Sequence, residues 1–300
     1  MRVVIAGASG LVGTALTASL RADGAEVVAL VRKSAAGPGE ITWDPAAGKL
    51  NPDSLEGCDA VVNLSGENVA EGSWSDLRKK RILESRVGAT RTLVEALGKM
   101  DHPPATLLSA SAIGFYGDTG EGSVSESAPV GKGFLAGVCE AWESEALRAK
   151  HSGVRVVFAR LGVVLSTQGG ALAKMLTPFR LGLGGPLGDG TQYISWVTLG
   201  DTVRALKWCL SRKDIHGPVN LVAPHPVTNR EFTRTLAAEL HRPALFAAPK
   251  FALRFAMGEM ADEMLLSSAR ILPTVLKEGN FDFEHPQLQG ALHHLIAHGE

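Results

Sequence analysis

Arg2-Val-Val-Ile-Ala-Gly7-Ala-Ser9-Gly10-Leu11-Val12-Gly13 opens the chain, and the reading of this stretch decides the fold. A short apolar run enters a glycine-spaced turn, after which the pattern is helical to about residue 22. Strand, glycine turn and helix in that order suit a dinucleotide pyrophosphate. Gly7 permits a tight turn off the strand, Gly10 lets backbone approach the phosphates, and Gly13 lets the helix pack close to the sheet. The free N–H groups of the first helical turn and the positive end of the helix dipole then face the anion. The spacing is GxxGxxG, and glycine turns also serve purely structural roles. It is the position between a strand and a helix that points to a nucleotide cofactor, cradled by Gly7, Ser9, Gly10, Leu11, Val12 and Gly13.

The second strand indicates which nucleotide. Glu26-Val-Val-Ala-Leu-Val31 is a buried-strand pattern ending at Arg32-Lys33. A fold that prefers NAD(H) places Asp or Glu there to accept from the ribose 2′-OH. Here Val31 leads into two cations and no acid, so the strand end suits a 2′-phosphate, with the planar guanidinium of Arg32 able to pair with it or stack on adenine. A solvated Arg-Lys pair at a strand exit is the plainer alternative. The expected cofactor is NADP(H).

Bulk properties narrow the function classes. The 300 residues are 45% hydrophobic and 20% charged, ordinary for a packed globular protein. A formal net charge of −1 provides no general field for nucleic acid or an anionic membrane. Cys58, Cys139 and Cys209 are widely spaced and odd in number, which suggests reduced thiols and a cytoplasmic setting rather than a metal cluster. Gly7, Ser9 and Gly10 interrupt the first apolar run, so it reads as a strand and turn rather than a signal peptide. No stretch approaches a membrane span. The expected partner is a small-molecule substrate, with the chain a monomer or homodimer.

Strand and helix patterns alternate through the first half. Strands are expected at 59–64, 105–109 and 154–159, with a short one at 41–43, and helices at 74–97 and 134–150. This predicts an α/β, Rossmann-like, doubly wound parallel sheet over residues 1–165. Its strand exits at Gly7, Arg32, Leu64, Ser109 and Arg160 should converge on one crevice. Beyond Arg160 the alternation loosens, and residues 166–300 are expected to form a smaller substrate-side subdomain. Helices are expected at 201–211 and 229–240. The glycine-rich run Gly182-Leu-Gly-Gly-Pro-Leu-Gly-Asp-Gly190 reads as a loop that packs against a ligand or closes over one.

The glycine turn, Asn63-Leu64-Ser65-Gly66, Ser109-Ala-Ser111 with Phe115-Tyr116-Gly117, and Ile194-Ser-Trp-Val197 with Asp201 together resemble the extended short-chain dehydrogenase/reductase superfamily, in its NAD(P)-dependent epimerase/dehydratase group. Ile41-Thr-Trp-Asp44, Ser85-Arg86, Trp142-Glu143, Pro178-Phe-Arg-Leu-Gly-Leu-Gly-Gly-Pro186 and Gly279-Asn-Phe-Asp-Phe283 are similar to one atypical branch, the epimerase family proteins with a characteristic C-terminal extension, here about 249–300. The resemblance implies an NADP(H)-binding fold with a poorly defined substrate. It places Leu64, Ser65 and Gly66 beside adenosine and pyrophosphate, and Arg81 and Arg86 toward the cofactor phosphates. Val164, just after the fifth strand, falls at the nicotinamide end.

One departure from the superfamily stands out. Standard members carry Tyr-x-x-x-Lys on the helix that begins here near Phe134, the tyrosine moving the proton and the lysine lowering its pKa. Only Tyr116 and Tyr193 exist, followed four residues on by Gly120 and Val197, and the expected place reads Phe134-Leu-Ala-Gly-Val-Cys139. The remaining candidates for proton transfer are Ser111 at the fourth strand exit, Tyr116 on the following loop, and Glu67 beside the cofactor segment. Each has a plain structural alternative. No metal site is expected, since the nine histidines show no zinc-type spacing. Two functions compete: an NADP(H)-dependent oxidoreductase or epimerase-like enzyme on a small polar, sugar- or nucleotide-like substrate, and a non-catalytic NADP(H)-binding sensor.

Overall fold

The computed structural model describes residues 1–299. Its centre is a seven-stranded, all-parallel sheet. In chain order the elements are β1 (Arg2–Ala6), α1 (Leu11–Ala22), β2 (Glu26–Val31), β3 (Glu40–Thr42), β4 (Ala60–Asn63), α2 (Asp76–Leu97), β5 (Thr106–Ala112), α3 (Phe134–Leu147) and β6 (Arg155–Leu161). They continue through β7 (Val163–Leu165), α4 (Gly170–Arg180), β8 (Tyr193–Ile194), β9 (Trp196–Thr198), α5 (Leu199–Ser211), β10 (Gly217–Leu221), β11 (Val227–Thr228) and α6 (Asn229–Glu239). The C-terminal part holds α7 (Lys250–Met257), α8 (Glu259–Ala261), a π-helical turn Asp262–Leu266, α9 (Thr274–Glu278) and α10 (Leu288–His298).

The sheet order is β3-β2-β1-β4-β5-β6-β10. The chain winds outward from β1 in one direction and from β4 in the other, which makes the β1/β4 boundary the topological switch point. Alternation along β1 feeds two layers. Val3 and Ile5 pack with Leu16, Leu20, Leu206 and Cys209 beneath α1 and α5, while Val4 and Ala6 pack with Leu93, Leu97 and Phe158 beneath α2. Burial on both faces explains why the strands read as unbroken apolar runs. The Rossmann-like α/β fold expected from the sequence is the observed one. Its seventh strand, β10, and the covering helix α5 come from beyond residue 165.

A separate core of Leu172, Leu176, Phe179, Trp196, Phe232, Leu236, Leu292 and Leu295 unites α4, α6 and α10. The extension docks through carboxylates that accept backbone N–H groups. Asp201, buried on α5, accepts from Glu284 N at 2.9 Å and His285 N at 3.0 Å. Glu126 accepts from Asn220 N, Thr274 N and Val275 N at 3.1–3.2 Å. Glu263 takes Phe134 N at 2.5 Å and Leu135 N at 2.8 Å, capping α3 from the far end of the chain.

The glycine run 182–190, expected to pack against a ligand or close over one, is bonded to the C-terminal part of the chain. Leu187 bridges Ala248, Gly188 N donates to Ala248 O at 2.8 Å, and Leu187 N donates to Asn229 Oδ1 at 2.8 Å. These bonds knit the run into the C-terminal subdomain and leave few of its backbone groups to be satisfied by a moving lid.

Candidate functional site

A cleft of about 1310 Å³ opens at the carboxyl ends of the strands, at the β1/β4 switch point. The expected residues Gly7, Ser9, Gly10, Val31, Arg32, Leu64, Ser65, Gly66, Glu67 and Arg81 all line it. The glycines do different work there. Gly7 has φ +81°, and a Cβ on it would lie 2.7 Å from the Leu64 carbonyl, so the protein itself demands glycine. Gly13 is likewise demanded, because a Cβ there would run into Gly7 O. Gly10 caps α1 with no side-chain hydrogen bond, and a Cβ on it would meet nothing nearer than Gly7 O at 3.5 Å. Nothing in the chain requires glycine at position 10, whereas a backbone that must touch a phosphate does.

Two further features fit a polar ligand. Thr17 Oγ1 and Ser65 Oγ are buried without a hydrogen-bond partner among the described residues, and both residues line the cleft. At the end of β2, Arg32 is exposed and carries no ion pair among the described residues, whereas Lys33 leans toward Glu40 at 3.9 Å. Arg32 is therefore the freer of the two cations. Leu11 and Val12 begin α1 away from the cleft lining, Leu11 toward Gly169 and Val12 against the core under α1. Val164 is half-buried in β7.

The second-helix arginines are tied to the loop after β4. Arg81 gives Nη2 and Nε to Glu67 Oε1 at 2.9 and 3.2 Å, and Arg78 pairs with the other carboxylate oxygen. Arg86 donates to Ile82 O at 3.1 Å and Glu67 O at 3.0 Å, and lies over the Trp142 ring. Burial lowers the Arg86 pKa. These bonds brace the Leu64–Glu67 segment beside Gly7, and they leave both Glu67 oxygens held by guanidinium groups.

At the β5 end the structure assembles a buried polar chain. Ser111, 1% exposed, donates to Glu143 Oε1 at 2.6 Å. Arg160 grips the same carboxylate with Nε at 2.8 Å and Nη2 at 2.7 Å, the bidentate geometry a guanidinium favours. Its Nη1 donates to Tyr116 Oη at 2.8 Å, and that phenol donates to Asn220 Oδ1 at 2.7 Å. Asn220 closes the chain on Leu272 O at 3.0 Å. The Phe115 ring covers Arg160, 3.5 Å from guanidinium carbon to ring centre. Burial opposes the Arg160 charge, but Glu143 and then Tyr116 outweigh it and raise its pKa. Burial pushes the Tyr116 phenol up, with Arg160 and Asn220 pulling against it. The Cys139 thiol is pushed up to about 11 by burial, so it is neutral near pH 7.

Ser111 and Tyr116 thus belong to one network, and Glu67 to another. Sequence reasoning did not assign roles to Glu143, Asn220 or Thr17. The available signal was an uncompensated polar residue within an apolar run, as in Val219-Asn220-Leu221.

The fold and cleft define a Rossmann-type dinucleotide-binding protein. The pattern of the NAD dependent epimerase/dehydratase family matches residues 3–222, and the chain belongs to that family. Residues 248–295 match a domain of unknown function, DUF1731. An epimerase family protein of Mycobacterium bovis is 45% identical over 97% of this chain and 96% of its own length. The human epimerase family protein SDR39U1 is 37% identical over 99% of this chain and all of its own. A crystal structure of the human protein with NADPH superposes with a TM-score of 0.92 at 36% identity, covering 99% of this chain and 100% of that one. A nucleoside-diphosphate sugar epimerase from Corynebacterium glutamicum gives 0.83 at 36% identity, over 100% of this chain and 59% of that chain. A nicotinamide dinucleotide is accordingly the supported cofactor class. Among the described residues, no helix is long and apolar enough to cross a membrane.

Proposed function

We propose that the chain is an NADP(H)-dependent oxidoreductase or epimerase-like enzyme acting on a small polar substrate in the cytoplasm, where its three free, buried cysteines stay reduced. The observation that carries this reading is the free Arg32 guanidinium at the end of β2, in the cleft that holds Gly10 and the unpartnered hydroxyls of Thr17 and Ser65. Arg32 and Lys33 would hold the 2′-phosphate, and the Gly7–Gly10 turn the pyrophosphate. When bound, the nicotinamide supplies hydride chemistry.

The residue of the chain placed to orient a substrate hydroxyl is Ser111, at the carboxyl end of β5. Because its proton points at Glu143 Oε1, its lone pairs are what it offers a ligand. A substrate hydroxyl reaching Ser111 Oγ would donate to it and be oriented there, while Glu143, gripped by Arg160, holds the serine in place. In the stretch Phe134 to Cys139, where the Tyr and Lys of standard members are expected, Phe134 and Leu135 have no proton to give and the buried Cys139 thiol stays neutral near pH 7.

A second reading, a non-catalytic NADP(H) sensor, is favoured by the same network. Ser111 and Tyr116 are buried with their hydroxyls committed inside the protein, and Glu67 is held by two arginines. One assay separates them. The protein is titrated with NADPH and NADH, then incubated with NADPH or NADP⁺ and a cell metabolite extract while cofactor absorbance is followed. A reaction that disappears in Ser111→Ala while NADPH affinity stays within about twofold supports the enzyme. No turnover with any extract, at full NADPH affinity, supports the sensor. Binding of NADH as tight as NADPH would defeat the cofactor assignment itself.

A further inference from the structure

Nine large hydrophobic side chains are exposed among the described residues, and six of them lie on three neighbouring segments of the C-terminal half. Leu181 caps the end of α4 and Leu183 follows on the glycine run, Leu245 and Phe246 precede α7, and Phe251 and Phe255 lie one turn apart on α7. The segments are joined by Phe246 N donating to Gly184 O at 3.3 Å, by the Leu187–Ala248 bridge, and by the Lys250–Asp189 ion pair at 2.7 Å. Helix α7 buries none of its residues, and Phe255 is 94% exposed, Phe251 76% and Leu245 80%. With only Leu253 and Met257 half-buried on its inner face, this amphipathic helix gains less from the core than the others do.

Area and charge indicate what covers it. At roughly 200 Å² for a large side chain, the six residues present on the order of 900 Å² of apolar surface, above the usual largest patch of a monomer. That is about what one partner contributes to a standard interface, roughly 800 Å². The α7 cations are neutralised within the chain, Lys250 by Asp189 and Arg254 by Asp262 at 2.8 Å. Arg180 and Arg242 remain at the margin beside Leu181, a polar rim around an apolar centre. With a net charge of −1, two copies repel little. Phe251 and Phe255, four residues apart on a short helix, make a surface that a twofold-related α7 can match.

We propose that this face joins two copies of the chain, with α7 packing against its counterpart about a twofold axis. The test is sedimentation velocity on the full chain from submicromolar to high micromolar concentration. The wild type is compared with the double variant Phe251→Ser, Phe255→Ser and with Phe255→Asp, which sets two carboxylates against each other. Both sites are solvent-exposed in one copy, so thermal melting and NADPH affinity should report intact variants. The expected result is a wild-type dimer that dissociates on dilution, and a dissociation constant raised more than about a hundredfold in both variants, since buried aromatics dominate interface energetics. A wild type that stays monomeric at all concentrations overturns the proposal, as does a dimer that survives both variants. Monomeric wild type that floats with phosphatidylcholine/phosphatidylglycerol vesicles, while the double variant does not, overturns it in favour of a lipid surface.

Discussion

Gly10 and Gly13 sit three residues apart in one motif yet answer to different constraints. Gly13 is pressed against Gly7 O, so Gly13→Ala should destabilise the fold by about 1–3 kcal/mol, as overpacking does, visible as a lowered urea midpoint with or without cofactor. Gly10→Val should leave the melting temperature of the free protein within a few degrees but abolish NADPH binding, because its space is open only until a phosphate fills it. If the Gly10→Val protein binds NADPH normally, the turn serves the fold alone. Arg32 belongs to the same scale. Replacing it with Asp should lower the NADPH/NADH preference by roughly tenfold to a hundredfold, the worth of one charged hydrogen-bond pair. An unchanged preference would transfer the role to Lys33.

Among the elements, β5, α3 and β6 matter most, because they place Ser111, Glu143 and Arg160 in contact. Glu143→Gln removes one partner of a buried bidentate pair and leaves the Arg160 guanidinium uncompensated, with an expected loss of about 3–5 kcal/mol. Ser111→Ala removes one hydrogen bond to a charged group and should cost about 1.5–3 kcal/mol. Chemical denaturation of the two single variants and the double variant gives the coupling between them. Additive losses would mean that Ser111 and Glu143 do not act as a unit. This part of the site was not legible in the chain. Ser111 and Glu143 are 32 residues apart, Tyr116 and Arg160 44, and Tyr116 and Asn220 104. No local spacing rule spans such separations.

For the molecule as a whole, docking of the extension rests on buried carboxylates gripping backbone N–H groups. Asp201→Ala should orphan Glu284 N and His285 N and speed hydrogen exchange across residues 281–298, with little change in β1 to β4. Uniform exchange over the chain would show that the extension and the sheet unfold together. The buried thiols set an alkaline limit on the same fold. Burial holds Cys58 and Cys139 up to about 11 and Cys209 to about 12, against 9.0 for a free thiol. Above pH 9 the unfolded chain loses these protons first, so their contribution to stability is full below pH 9 and is lost as pH rises toward 11–12. Urea unfolding between pH 8 and 11 should show this decline, and a flat profile would contradict it.

The sequence by itself determined the parallel sheet, its apolar strands and the part of the cleft lined by Gly7, Gly10, Arg32 and Leu64 to Gly66. Those features depend on short-range chemistry: periodicity within one strand, a glycine turn between β1 and α1, and a cation at the end of β2. Tertiary structure alone decided that Asn220 and Glu126 meet near β6, that Glu263 caps α3 across the chain, and that the glycine run is paired rather than free. These outcomes depend on which distant polar groups are buried together. A buried donor or acceptor must find a partner wherever the fold brings one, and the linear chain does not record that choice.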